Sequence, residues 1–188
     1  MKNLNMESPT LLEIKPCFEN NKFIFSYTKG VVTGTELKIV ESTPKDFVEF
    51  IKKNAKTLPQ TFEQMREIPE EVRKKTIKNN SGYFISGECS VRNDKNVQSI
   101  YALPFDFDHC PEGITIEDIS KYFDGYCHLA YTSFSHLLEG TPKFRVILFL
   151  KEPFLKEEDD LQDKVHRTLS DFLFKKKISW LGESEMYA

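Results

Sequence analysis

Residues 101–108, YALPFDFD, decide the fold, because their side chains alternate between apolar and polar along a predicted strand. Successive side chains of a β-strand point to opposite faces of the sheet. The predicted core-facing row is apolar and consists of Leu103, Phe105 and Phe107. Ala102, Pro104, Asp106 and Asp108 share the other face. The stretch therefore predicts a half-buried strand that carries two carboxylates near its end.

Outward from this strand, the pattern predicts a regular succession of elements. They are a strand from 83 to 92, a strand from 97 to 108, a helix near 116–123, strands at 126–134 and 143–150, a helix near 156–176 and a last strand within 178–188. From residue 97 the order is β-α-β-β-α-(β), that of the split βαβ or ferredoxin-like fold, which RNA-recognition motifs (RRMs) also use. We predict an α+β fold with an RRM-like core at 81–188, in which helices cover one sheet face and the other is open.

Residues 1–80 are predicted to form an N-terminal extension of strands and helices. Residues 22–40 have strand-like content interrupted by Gly30 and Gly34, which is typical of a hairpin. A helix should follow, capped by Thr43 with Pro44 at its first position. A later helix carries a basic cluster, which indicates either an exposed helix face or a phosphate-contacting surface. This cluster is Arg73, Lys74, Lys75 and Lys78.

Composition favours one compact domain and excludes several classes of protein. The 188 residues are 39% hydrophobic and include 16 Phe, enough for a sizeable core. The apolar runs are much shorter than the roughly 18 residues of a membrane span. With no readable secretory signal, we expect a cytoplasmic protein without a membrane partner, whose cysteines, Cys17, Cys89, Cys110 and Cys127, are reduced thiols. A net charge of −3 means that any polyanion site has to be local.

Polar side chains from three predicted strands are expected on the open face. Arg145 lies opposite the apolar row of its own strand, so it should join Asp106 and Asp108. In the second strand of the core, predicted at 126–134, Leu129 and Tyr131 are the predicted core positions. This assignment places on the open side His128, Ala130, Thr132 and His136.

Two carboxylates two residues apart on one face repel each other unless a positive charge lies between them. Hard divalent cations with oxygen ligands, Mg²⁺ or Mn²⁺, commonly relieve this repulsion while binding substrate phosphates. The face therefore predicts a metal and phosphate site. Zinc is not favoured, because the pairs His109-Cys110 and Cys127-His128 lack the spacing of two to four residues that structural zinc ligands usually have.

The ordered series SVRNDKN, YALPFDFDH, LAYTSFSH and KFRVILFL resembles the catalytic core of the archaeo-eukaryotic primase superfamily, in particular the primase-polymerase domains of plasmid and phage replication proteins. The resemblance covers roughly residues 80–155. It implies a nucleotidyltransferase that uses NTP or dNTP on a DNA template or primer. It implies Mg²⁺ or Mn²⁺ on Asp106 and Asp108, catalytic residues Asp106, Asp108 and His136, and phosphate contacts from Ser135, Arg145 and Arg92.

The sequence departs from that family at the third metal-binding acid, which the family carries on the last strand of the core. Here the segment reads ISWLGESEMYA, with Glu183 or Glu185 as candidates. An inactive module that binds nucleic acid or nucleotide therefore stays open beside the enzyme. A phosphatase of the haloacid-dehalogenase type also places DxD at a strand end, but no alternating α/β series surrounds it here. The expected partners are DNA, a nucleoside triphosphate and a separately encoded helicase.

Overall fold

The computed structural model of the chain describes residues 11–12, 21–28, 36–54, 60–76, 82–108, 110–156 and 161–176. Within these ranges the chain has the predicted α+β class. The strands are β1 (Leu11–Leu12), β2 (Phe23–Thr28), β3 (Lys38–Ser42), β4 (Tyr83–Ile85), β5 (Ser99–Phe107), β6 (His128–Thr132) and β7 (Phe144–Leu155). The helices are α1 (Pro44–Asn54), α2 (Phe62–Glu67), α3 (Glu70–Thr76), α4 (Ile116–Lys121) and α5 (Leu161–Lys176). None of the helices in the described ranges is both long and apolar enough to cross a membrane.

The larger sheet has the strand order β1-β6-β7-β5, and each neighbouring pair is antiparallel. Since β5 and β6 both run against β7, they run parallel to each other on either side of it. The connection between them contains α4. The predicted last strand within 178–188 lies outside the described residues, as do Gly30 and Gly34.

The smaller sheet has the order β3-β2-β4 and is also antiparallel. The strand predicted from 83 to 92 is shorter than expected, because only β4 is regular, and β4 pairs with β2. Beyond β4 the chain returns to β5 through a bridge between Cys89 and Val97. Residues that the sequence places at the start of the core therefore complete the N-terminal sheet.

One face of the larger sheet packs against α4 and α5, as predicted. The row Leu103, Phe105 and Phe107 is buried there. Phe123, which follows α4, and Phe172 of α5 stack with ring centroids 5.3 Å apart. Phe123 also meets Phe105 edge-on at 5.2 Å. Apolar alternation in β5 thus identified the helix-covered face correctly.

The opposite face is covered over much of its area, so the prediction of an open face is wrong there. Ala102, Leu129, Ile147 and Phe149 are buried against side chains of β2 and α1. The rings of Phe23 and Phe149 lie 5.2 Å apart, and those of Phe25 and Phe47 lie 4.9 Å apart. β7 is apolar on both faces. The N-terminal strands and helices can therefore bury apolar side chains that an isolated RRM-like core would expose.

The two faces of β6 are the reverse of the prediction. Leu129 pairs with Ile147 and Tyr131 with Arg145, so both lie on the face that carries Asp106. The helix-covered face instead takes His128, Ala130 and Thr132. Leu129 and Ala130 are both buried, which means that hydrophobicity alone could not decide between the faces.

Candidate functional site

The candidate site is the edge of the larger sheet where β5 and β6 end and β7 begins. The register places Asp106, Arg145 and Tyr131 side by side in one row across these strands. One residue further out, Phe107, Phe144 and Thr132 form a row on the opposite face. The ends of β5 and β6 and the start of β7 therefore present polar side chains together, and much of the rest of both faces is packed.

Asp106 and Arg145 form a bidentate ion pair at the centre of this edge. Arg145 Nε donates to Asp106 Oδ1, and Arg145 Nη2 donates to Asp106 Oδ2 over 3.2 Å. The side chains are 26% and 44% exposed, so solvent reaches the pair. The predicted placement of Arg145 on the Asp106 face is confirmed.

Tyr131 completes the row and was not predicted as a site residue. Burial raises the pKa of its hydroxyl, and the neighbouring Asp106 carboxylate raises it further against the opposing effect of Arg145. Burial lowers the pKa of Arg145, but Tyr131 and Asp106 more than offset this, so its pKa is raised. The row thus holds a firmly charged guanidinium between a carboxylate and a neutral phenol.

Asp108 directly follows β5 and is half-buried. Strand alternation places it on the side of Asp106, two residues further toward the edge. Lys143 stands two residues before Arg145, and its carbonyl accepts a hydrogen bond from Ser133 N–H over 3.0 Å. The register therefore continues past the regular strands and brings Lys143, which the sequence did not single out, toward the same edge as Asp108.

His136 reaches this edge from the loop of residues 133–143, here called the β6–β7 loop. Its Nδ1 accepts a hydrogen bond from the Lys143 N–H over 3.1 Å, and its ring packs on Phe144 at 4.9 Å between centroids. It lines a depression of about 290 Å³ with Ile114, Thr115, Ile116, Glu117, Thr132 and Phe144. Its ring contacts are thus on the helix-covered side, and the prediction that it shares a face with Asp106 and Arg145 is wrong. His136 lies in a loop, where strand alternation does not determine the direction of a side chain.

His136 gives a pH-dependent prediction for stability. Burial lowers its pKa from the ordinary value, while the Lys143 carbonyl, 3.0 Å from Nδ1, opposes this because it can accept a hydrogen bond from the protonated ring. As the pH falls below about 6.5, the unfolded chain takes up a proton that the folded His136 resists, so stability present above that pH is lost. Urea unfolding at about pH 7.5 and about pH 5.5 should show a smaller loss on acidification in His136→Gln than in the parent. An equal loss in both would contradict this assignment.

Two further predicted site residues have contacts elsewhere. The Arg92 guanidinium lies over the Tyr83 ring, 4.3 Å from its centroid, at the edge of the smaller sheet. Ser135 is half-buried in the β6–β7 loop, and its carbonyl accepts from Leu138 N–H over 3.2 Å. Neither is joined to Asp106 or Arg145 by a contact recorded among the described residues, so their roles stay predictions.

The carboxylates offer a limited set of metal donors. In the described part of the chain, no three His, Cys, Asp or Glu side chains converge in a way that could hold a metal. Glu183, Glu185 and His109 lie outside the described residues. Asp106 and Asp108 nevertheless fit Mg²⁺ or Mn²⁺, since their oxygens are hard ligands and each carboxylate has about four lone-pair positions, of which Arg145 engages only some on Asp106.

The remaining Cys and His candidates have structural positions. Cys89, Cys110 and Cys127 are buried and form no disulfides, while Cys17 lies outside the described residues. His128 Nε2 lies 2.6 Å from the Ser120 hydroxyl, and its Nδ1 lies 3.0 Å from the Tyr126 carbonyl. These contacts fix the His128 ring between α4 and β6.

Comparison of the chain with models of protein families, with functionally curated proteins and with solved structures finds no significant match. The resemblance to the primase superfamily consequently rests on the motifs themselves and stays a prediction.

Proposed function

We propose that the chain is a primase-polymerase-like nucleotidyltransferase that binds a nucleoside triphosphate and a DNA end at the edge carrying Asp106, Asp108 and Arg145. The observation that supports this most is the row in which a carboxylate and a guanidinium face each other, with a second carboxylate one step outward. Adjacent acids suit a divalent cation, and a guanidinium suits phosphate oxygens. A divalent cation and the phosphate oxygens of a triphosphate would then both have binding partners at this edge.

The topology supports the same proposal. In an RRM-like core the first and third strands are adjacent, with the second strand beside the third. The strand order β6-β7-β5, together with α4 in the β5–β6 connection, fits that arrangement. Residues 86–89 border the far side of β5 as far as Ala102, and among the described residues the part beyond Ala102, which carries Asp106, remains for a fourth strand. An acid on such a strand would lie beside Asp106 and Asp108, where a third metal ligand is needed.

The residues divide the work by charge. Asp106 and Asp108 would hold Mg²⁺ or Mn²⁺, which when bound supplies charge neutralisation for the attacking and leaving oxygens. Arg145, released in part from Asp106, would donate to phosphate oxygens in a bidentate manner. Lys143 adds a second positive charge at the same edge, although Glu139 partly neutralises it at 2.8 Å. Catalysis here would be positioning and electrostatics, with no covalent intermediate on the chain.

A second candidate, a binding module without turnover, has its own supporting observation. Both Asp106 oxygens accept from Arg145, which makes the pair self-satisfied without metal or phosphate. With two carboxylates at the described edge rather than three, nucleotide or DNA affinity without chemistry would suit this arrangement equally well.

The two candidates separate in one experiment on the whole chain. We expect labelled NTP or dNTP to be incorporated on a primed or a bare DNA template with Mg²⁺ or Mn²⁺, and incorporation to stop with a chelator. Triphosphate and template binding without product would select the binding module. Absence of binding and of product would reject both, and metal-dependent hydrolysis of a simple phosphomonoester would revive the phosphatase alternative.

A further inference from the structure

The β6–β7 loop is connected to α3 by a buried cation. Arg73 is only 6% exposed, although its position in a run of basic residues predicted an exposed helix face or a phosphate contact. Its Nη1 donates to the Met65 carbonyl at the end of α2 over 3.1 Å. Its Nη2 lies 3.4 Å from Glu139 Oε1. The guanidinium therefore joins α2, α3 and the loop, and the predicted solvent or phosphate role for Arg73 is wrong because its donors are directed inward.

Glu139 links Arg73 to the candidate site. Its other carboxylate oxygen, Oε2, pairs with Lys143 Nζ over 2.8 Å, and the Lys143 side chain is only 14% exposed. One carboxylate thus holds α3 on one side and the start of β7 on the other. The Lys143 backbone N–H in turn donates to His136 Nδ1. A continuous series of contacts runs from α3 to the imidazole.

The loop needs such support, because its backbone conformation is costly. Leu137 adopts a φ of 59°, in the left-handed region that residues with a Cβ rarely occupy. The residue is 40% exposed, so burial does not hold it in place. Leu137 N–H donates to the Thr141 carbonyl over 3.0 Å within the loop. Strained backbone of this kind persists when surrounding contacts fix it, and it is frequent in ligand-contacting loops.

We propose that Arg73 and Glu139 are a positioning pair that holds the β6–β7 loop, and with it Lys143, at the edge that receives the triphosphate. This inference rests on the proposed function for its ligand and on the contacts above for its mechanism. The pair acts through the loop and does not touch substrate. The N-terminal unit thereby takes part in the site that the core strands build.

The test is the substitution Glu139→Gln in the full chain, because it removes the charge, keeps the size and affects a partly exposed side chain. We expect amide hydrogen exchange in residues 133–143 to accelerate by about two- to fivefold, within the range expected for a partly exposed charge pair. Exchange in β2 and β3 should stay unchanged. The affinity for ATP with Mg²⁺, used as the probe triphosphate, is compared in Arg73→Lys, which leaves the charge around Lys143 unchanged, and should fall by about two- to fivefold.

Two further variants test whether the effect of Glu139→Gln is specific to the contacts of Arg73 and Glu139. Glu112→Gln, at an exposed acid in the turn before α4, should change neither readout. Arg73→Lys keeps the charge but has a single donating group for Met65 and Glu139, so it should accelerate exchange in the same segment. Unchanged exchange in residues 133–143 for Glu139→Gln would overturn the proposal. Faster exchange spread equally over β2 and β3, or confined to the loop with unaltered ATP affinity, would also overturn it.

Failure of the proposed function is recognised separately. It would appear as wild-type protein that neither binds ATP nor forms product. The exchange measurement is made without nucleotide, so the loop-holding role of Arg73 and Glu139 would still stand or fall on the exchange data alone.

Discussion

Asp108→Asn is expected to lower metal-dependent nucleotide incorporation by about 100-fold or more, because charge stabilisation lost from a transition state typically costs this much. The neutral amide keeps the shape of the carboxylate but not its charge for a cation. Asp108 lies at the end of β5 and is half-buried, so the fold should tolerate the change. Steady-state incorporation with Mg²⁺ and with Mn²⁺, beside an unfolding curve, measures both effects.

Asp124→Asn is the matched control, since Asp124 is exposed in the turn after α4, where its backbone N–H donates to the Lys121 carbonyl. It should leave incorporation unchanged. Asp106→Asn offers a contrast, because it also leaves Arg145 without its carboxylate and should lower stability as well as activity. Near-parental incorporation by Asp108→Asn would remove the basis for metal-assisted transfer at this edge.

Strand alternation predicted the fold best where one face of a strand was clearly apolar. In β5 the apolar row is buried against α4 and α5, and Asp106 lies opposite it, as expected. In β6 the polar row with His128 and Thr132 faces the helices, and Leu129 and Ala130 are both buried, so polarity did not identify the open face. Local periodicity cannot show that Phe23 and Phe47, far away in the sequence, cover the second face.

The sequence predicted the positions of those site residues that lie in paired strands. Asp106 and Arg145 are neighbours because β5 and β7 pair. In each of these strands, the apolar alternation shows which face the charged side chain occupies. Loop residues do not obey this rule, which is why His136 lies toward Phe144. Arg73 could not be recognised as buried, because its carboxylate partner, Glu139, is 66 residues further along the chain. A basic run in a helix indicates a solvated face until such a distant partner is known.

Gly87 lies where the chain crosses from the smaller sheet to the larger one, and its backbone is held from both sides. Its carbonyl accepts a hydrogen bond from the buried Ser26 hydroxyl over 2.8 Å. The same hydroxyl accepts from Cys89 N–H over 2.9 Å. The preceding residue, Ser86, donates through its hydroxyl to the Ala102 carbonyl over 2.6 Å. The segment therefore cannot move away from β5 without breaking buried hydrogen bonds.

Gly87→Ala should destabilise the fold by about 3 kcal/mol or more, at the upper end of the range for overpacked buried sites. A Cβ at this position would lie 1.8 Å from the Ser99 carbonyl oxygen and 2.8 Å from its carbon. The obstacle is backbone of β5, which pairs with β7 at Ser99 and Ile100, so no side-chain rotation relieves it. Gly82→Ala is the control, because its Cβ would meet only the Thr28 carbonyl oxygen at 3.5 Å. Urea unfolding of both variants measures the difference, and equal midpoints would show that the two sheets are not held together through this close approach.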